Sequence, residues 1–121
     1  MHFDWTTGPL AEGLHRYNTG LFWEAHESWE YLWRSAAEPD KTFLQGLIQV
    51  TAACHHLSRN NRLGASRLFT HALRRLDPYP STFANISVEQ LRTDIRDRLH
   101  QLTQGVHAAP LKPPRILPLC L

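Results

Sequence analysis

His26, Glu27 and Glu30 form a His-Glu-x-x-Glu sequence inside YNTGLFWEAHESWEYLWR, residues 17–34, which also carries Trp23, Trp29, Trp33 and Arg34. On a helix, residues four apart lie one turn apart on the same face, the spacing with which two side chains reach one divalent metal. The motif is that of the zinc-protease helix with Glu in place of the second His. It predicts His26 and Glu30 as metal ligands with His56 as the third. Glu27, or Glu30 itself, is then the general base of a hydrolytic reaction. A dinuclear iron or manganese centre is not expected, because such bundles draw several Glu residues and Glu-x-x-His motifs from facing helices.

Counting about 100° per residue, Phe22, Ala25, His26, Trp29, Leu32 and Trp33 form one stripe. His26 therefore lies on a face that must be buried, with Glu27 and Glu30 near its edge, and a buried imidazole needs partners. The next helical segment, FLQGLIQVTAACHHL, supplies candidates. Phe43, Leu47, Val50, Cys54 and Leu57 share one face and Leu44, Ile48 and Thr51 the next sector. Against them Gln45, Gln49 and His56 fall within about 40° of one another, beside the small residues Gly46, Ala52 and Ala53. The polar cluster has two uses that the sequence leaves open. One is a small-ligand or metal site, with Trp23, Arg34, Gln45 and Gln49 as binding residues and Arg34 taking an anionic group. The other is a hydrogen-bonded network that fixes helix register in a non-enzymatic interaction module, where a surface groove and the Pro-rich tail meet a partner protein or a second copy. A site needs an open cavity at the cluster, whereas a register lock is dry and fully hydrogen-bonded.

The elements that must position these residues are all helical. Helical periodicity dominates and no run of strand-like alternation stands out. Pro9 suits the first turn of a short helix to about residue 18, Gly20 permits a break, and a Trp-rich helix follows over about 21–36. Helices over about 40–59 and 63–76 come next, with Asn60 and Asn61 as a left-handed cap between them. Ser87 and Gln90 make a capping-box signature for a last helix to about residue 105. The fold class expected is all-α, a single helical bundle of four longer helices plus a short N-terminal one over residues 1–108. A Pro-rich C-terminal tail, 109–121, either hangs loose or lies as a strap over a groove. Four of the eight prolines fall in it, which excludes helix there.

At 121 residues with 42% hydrophobic and 20% charged residues, the chain has the make-up of one ordinary globular domain. A formal charge of +2 is too small to argue for nucleic acid, and Arg59, Arg62, Arg67, Arg74 and Arg75 read as a solvated basic face. Cys54 and Cys120 have neither zinc nor redox spacing. Cys54 faces the core and should be inert. A reducing cytoplasm is the default expectation, without signal peptide or membrane span. A divalent metal is the one cofactor the motifs suggest, and a small molecule, a protein or a homodimer mate are the partners to consider. Trp29 and Trp33 read as packing residues, Trp23 as the exception at the stripe's edge. His55 lies on a different sector from His56 and is expected to pack or reach solvent.

The WEAHE-x-x-E-x-x-W-R and FLQGLIQ blocks, with the sequence through FTHAL, resemble the bacterial and plastid domain of unknown function numbered 309 over roughly residues 10–80. The resemblance implies a small all-helical bundle and no established activity. It places the family's polar motif on Glu24, His26, Glu27, Glu30, Trp33, Arg34, Gln45, Gln49 and His56. Two departures are visible. The family's Gly-Asn after the third helix is Asn60-Asn61 here, and its Gly-Ile-Asp-Val entry to the last helix is Asn85-Ile86-Ser87-Val88. Ser87 keeps an N-cap, whereas any functional role of the family's Asp is put in question.

Overall fold

The computed structural model describes residues 1–104 and 111–119. Within them the chain is all-α, with five helices: α1 (Gly8–Asn18), α2 (Phe22–Trp33), α3 (Asp40–Ser58), α4 (Arg62–Leu76) and α5 (Val88–Thr103). Between α4 and α5 stands an antiparallel hairpin of β1 (Thr82–Phe83) and β2 (Ile86–Ser87), which periodicity does not predict because two-residue strands carry no alternation. The Trp-rich helix stops at Trp33 rather than Ala36. The expected boundary between bundle and tail, and Cys120, lie outside the described residues.

α3 is the hub, packed between α2 and α4, because its wide apolar arc buries Phe43, Leu44, Leu47, Val50, Ala53 and Cys54 together. Burial pushes the Cys54 thiol up to about 12, so this cysteine is held as an unreactive core residue. α1 and α2 meet through Trp29, which is fully buried and donates from Nε1 to the Leu10 carbonyl at 3.2 Å. Trp5 stands edge-on to the same indole with ring centroids 6.3 Å apart. Gly20 turns the chain between α1 and α2 at φ +84°, a left-handed conformation open to glycine.

Local caps follow the sequence. Asn60 adopts φ +60° and Asn61 caps α4 by accepting from the Gly64 amide at 2.9 Å. Ser87 Oγ accepts from the Gln90 amide at 3.2 Å. The capping box is only half closed, since Gln90 Nε2 donates to Asp94 instead of returning to Ser87, whose amide goes to Leu117. Asn85 also sits at φ +60°. Asparagine tolerates that region, so Asn60 and Asn85 both hold a left-handed backbone there.

Residues 111–119 form the strap, not a loose tail. Pro114 and Ile116 are buried, and Pro118 bridges to Ile86 of β2. The N-terminal segment reaches the same hairpin, with Trp5 Nε1 donating to Ala84 at 2.7 Å and Asn85 Nδ2 to the Phe3 carbonyl at 2.9 Å.

A Cβ placed on Gly13 would lie 2.2 Å from Trp29 Nε1. Gly13→Ala must therefore displace the buried indole, and urea denaturation is expected to show a loss of at least about 2 kcal/mol.

Candidate functional site

α2 and α3 run as antiparallel neighbours, so the end of α2 meets the start of α3 and the reverse. The Lys41 ammonium lies 4.5 Å from the centroid of the Trp33 ring at one end of the seam, and Trp23 and His55 are 5.6 Å apart at the other. Between them lie His26, Glu30, Gln45 and Gln49, all half-buried. The expected adjacency of the Trp-rich and Gln-rich helices is therefore present.

The cluster is not a closed network. Glu30 accepts from Arg34 Nη2 at 3.0 Å, one turn along on the surface. His26 Nδ1 comes no closer to Glu30 than 3.6 Å, within ion-pair range but too long for a hydrogen bond. His26 Nδ1, Trp33 Nε1 and Gln49 Oε1 are buried without a hydrogen-bond partner among the described residues. All three belong to α2 and α3. Such atoms are uncommon in native proteins and each calls for an explanation.

His56 does not join His26 and Glu30. Its Nδ1 lies 2.9 Å from Asn61 Nδ2. Asn61 Oδ1 already accepts from Gly64, so its amide nitrogen donates and His56 Nδ1 accepts, which puts the ring proton on Nε2. Among the described residues no three His, Cys, Asp or Glu side chains stand together as a metal-binding group. Glu27 is exposed. A Glu-x-x-His does occur, Glu12 to His15 on α1, but both side chains are exposed.

Trp23 and His26 stack almost parallel, with centroids 5.0 Å apart and planes 4° from each other. Trp23 remains 49% exposed. It lines a cleft of about 480 Å³ together with Leu21, Phe22, Glu24, His55, Ser58 and Arg59. Leu21 offers no side-chain cap to the first turn of α2, whose residues Phe22, Trp23 and Glu24 line this cleft. Sequence leaves His55 to pack or reach solvent, and the structure places it in the wall of this cleft; the signal that could have put it there is its four-residue spacing to Arg59 in the last turn of a helix antiparallel to α2. The basic face of α4 has its own smaller cleft, about 250 Å³, between Thr42, His71, Arg74, Arg75 and Pro78.

The site is thus an aromatic and imidazole seam of a helical bundle, open at one end. Residues 10–68 match the model of a family described as a domain of unknown function (DUF309), and this segment of the chain is a member of that family. An uncharacterized protein of Aquifex aeolicus (strain VF5) is 28% identical over 91 residues, 74% of this chain. The aligned part spans only 27% of that relative's length.

Burial, helped by the nearby positive charge of Arg59, holds the His55 imidazole below its ordinary 6.5. The unfolded chain then takes up the proton more readily, so this contribution to stability is present above pH 6.5 and lost as pH falls below it. The melting temperature is expected to drop between neutral pH and pH 5, and His55→Asn to flatten that dependence. Glu30→Gln removes contacts of a half-buried carboxylate to an Arg34 side chain that is 69% exposed. It should cost less than about 1 kcal/mol in urea denaturation.

Proposed function

We propose that the protein binds a planar, polar small molecule in the cleft where α2 begins and α3 ends, stacked on the exposed part of the Trp23 ring. The observation that carries this reading is the half-exposed Trp23 ring, held on one side by His26 and walling the cleft beside Arg59. Tryptophan exposed at a concave surface and oriented by a parallel stack is a ready platform for an aromatic ring. Arg59 and the uncapped first turn of α2 favour an acceptor or anionic group on the ligand, while Glu24 supplies an acceptor for a donor. Glu27 lies in solvent and Glu30 is engaged by Arg34, so these side chains favour binding over hydrolysis.

The alternative, a module that docks a protein, draws support from the outer side of α2, where Tyr31 is 66% exposed two turns after Trp23. The two readings separate in one experiment. Nucleoside monophosphates and aromatic carboxylates are screened by thermal shift, and affinities of those that raise the melting temperature are measured on Trp23→Ala, Arg59→Gln and Tyr31→Ala. Loss of stacking should weaken binding by about tenfold or more in Trp23→Ala, given roughly 1–3 kcal/mol per stacked ring. Arg59→Gln should weaken anionic ligands selectively, and Tyr31→Ala should change nothing. A screen without any planar binder, or binding indifferent to Trp23, overturns the proposal.

A further inference from the structure

The strap is held as a bound peptide is held. Its contacts run in linear order, and each is made to a feature of residues 112–119. Arg98 Nε donates to the Lys112 carbonyl at 2.5 Å. Tyr17 Oη, on α1, donates to the Pro114 carbonyl at 2.5 Å. Asp94, on α5, receives three bonds from Arg115: its backbone amide at 2.8 Å, Nε at 2.9 Å and Nη2 at 3.1 Å. Ile116 inserts into the core with 3% of its surface exposed. The Ser87 amide then donates to the Leu117 carbonyl at 3.1 Å and the Leu119 amide to the Asn85 carbonyl at 2.8 Å, adding the strap to the edge of β2. Main-chain pairing along a strand edge, with one charged and one apolar side chain read by separate pockets, is how extended peptides are recognised by strand addition.

The groove asks for that peptide specifically. The Asp94 side chain is only 7% exposed, and Arg115 is the cation paired with it among the described residues. Its remaining partner is the neutral amide of Gln90. Burial raises the Asp94 carboxyl, and the hydrogen bonds from Arg115 outweigh it and hold the group below the usual carboxylate range. With Arg115 elsewhere, Asp94 is a buried carboxylate lacking its cation, an unfavourable state that selects for an arginine at that position. The strap itself lies at the surface: Arg115 keeps 58% of its side chain exposed, and Leu117 and Leu119 are 41% and 40% exposed. Pro114 and Ile116 are the strap residues that are buried.

We propose that this groove is a peptide-binding site for a Pro-Arg-Ile segment, and that its occupant in trans is the 111–119 strap of a second copy. No recognition element in the groove depends on the segment belonging to the same chain, and a second copy carries the identical ligand.

The test uses two variants of the 121-residue chain. Arg115→Glu keeps the groove and spoils the strap; Asp94→Asn keeps the strap and spoils the groove. Fluorescently labelled peptide 111–119 is expected to bind Arg115→Glu roughly tenfold tighter than it binds either Asp94→Asn or the wild type, whose own strap competes. Native mass spectrometry of the two variants mixed should show a mixed dimer, with each variant alone monomeric. Arg115→Ala serves in place of the charge reversal if the latter unfolds. Peptide binding no tighter than that of the same peptide with Glu for Arg overturns the peptide site, and peptide binding without a mixed dimer overturns the exchange between copies.

Discussion

The fold turns on one contact, the Trp29 indole laid against the backbone of Gly13. A whole tryptophan is removed from water there, and α1 can approach α2 only because no Cβ stands in the way. Its indole N–H is satisfied by the Leu10 carbonyl, so full burial leaves no polar atom stranded. Fixing Trp29 inward also fixes the rotation of α2. His26, three residues back, and Glu30 then fall on the α3 side of the helix, Glu27 and Tyr31 face outward, and Trp23 is carried to the mouth of the cleft. The same rotation that closes the core therefore aims the chemistry.

The seam between α2 and α3 shows what a partly satisfied polar interface looks like. A pure register lock would be expected to close its hydrogen bonds, since buried unpaired groups cost more than an apolar replacement. Here Glu30 turns away to Arg34, His56 turns away to Asn61, and the atoms left behind are one donor, Trp33 Nε1, one acceptor, Gln49 Oε1, and His26 Nδ1, which can act as either. That mixture is suited to a polar molecule or ordered water and poorly suited to an apolar plug. Of the three residues, His26 stacks on Trp23 beside the cleft, whereas Trp33 stands at the opposite end of the seam.

Much of this was legible in the sequence. The stripes of α2, α3 and α4 are periodic, and periodicity is what amphipathic packing writes into a chain, so the buried sets around Trp29, Leu47 and Phe69 follow directly. The left-handed turn at Asn60 and the cap at Ser87 were equally readable, because such turns and caps are set by one residue and a few neighbouring amides. The adjacency of the Trp-rich and Gln-rich helices also followed from the pattern. What escaped has no period and no local signature. His56 and His55 differ by one residue, and which of them faces α2 depends on the crossing of two helices. The hairpin is too short to alternate. The strap is specified by Asp94 and Tyr17, residues 21 and 97 positions away from their partners.

Those separations bear on how the chain assembles. Most of the core joins helices that follow one another in sequence, contacts that form early because little chain entropy is lost in closing them. The hairpin is different: it receives Trp5 from 79 residues away and the Phe3 carbonyl from 82, and it pairs with the strap. Both ends of the described chain thus converge on four residues, Ala84 to Ser87, that have no hydrophobic face of their own large enough to fold alone. The helices must dock before this clasp has anything to grip, so the clasp closes last, and local opening of the folded protein should start where it closed.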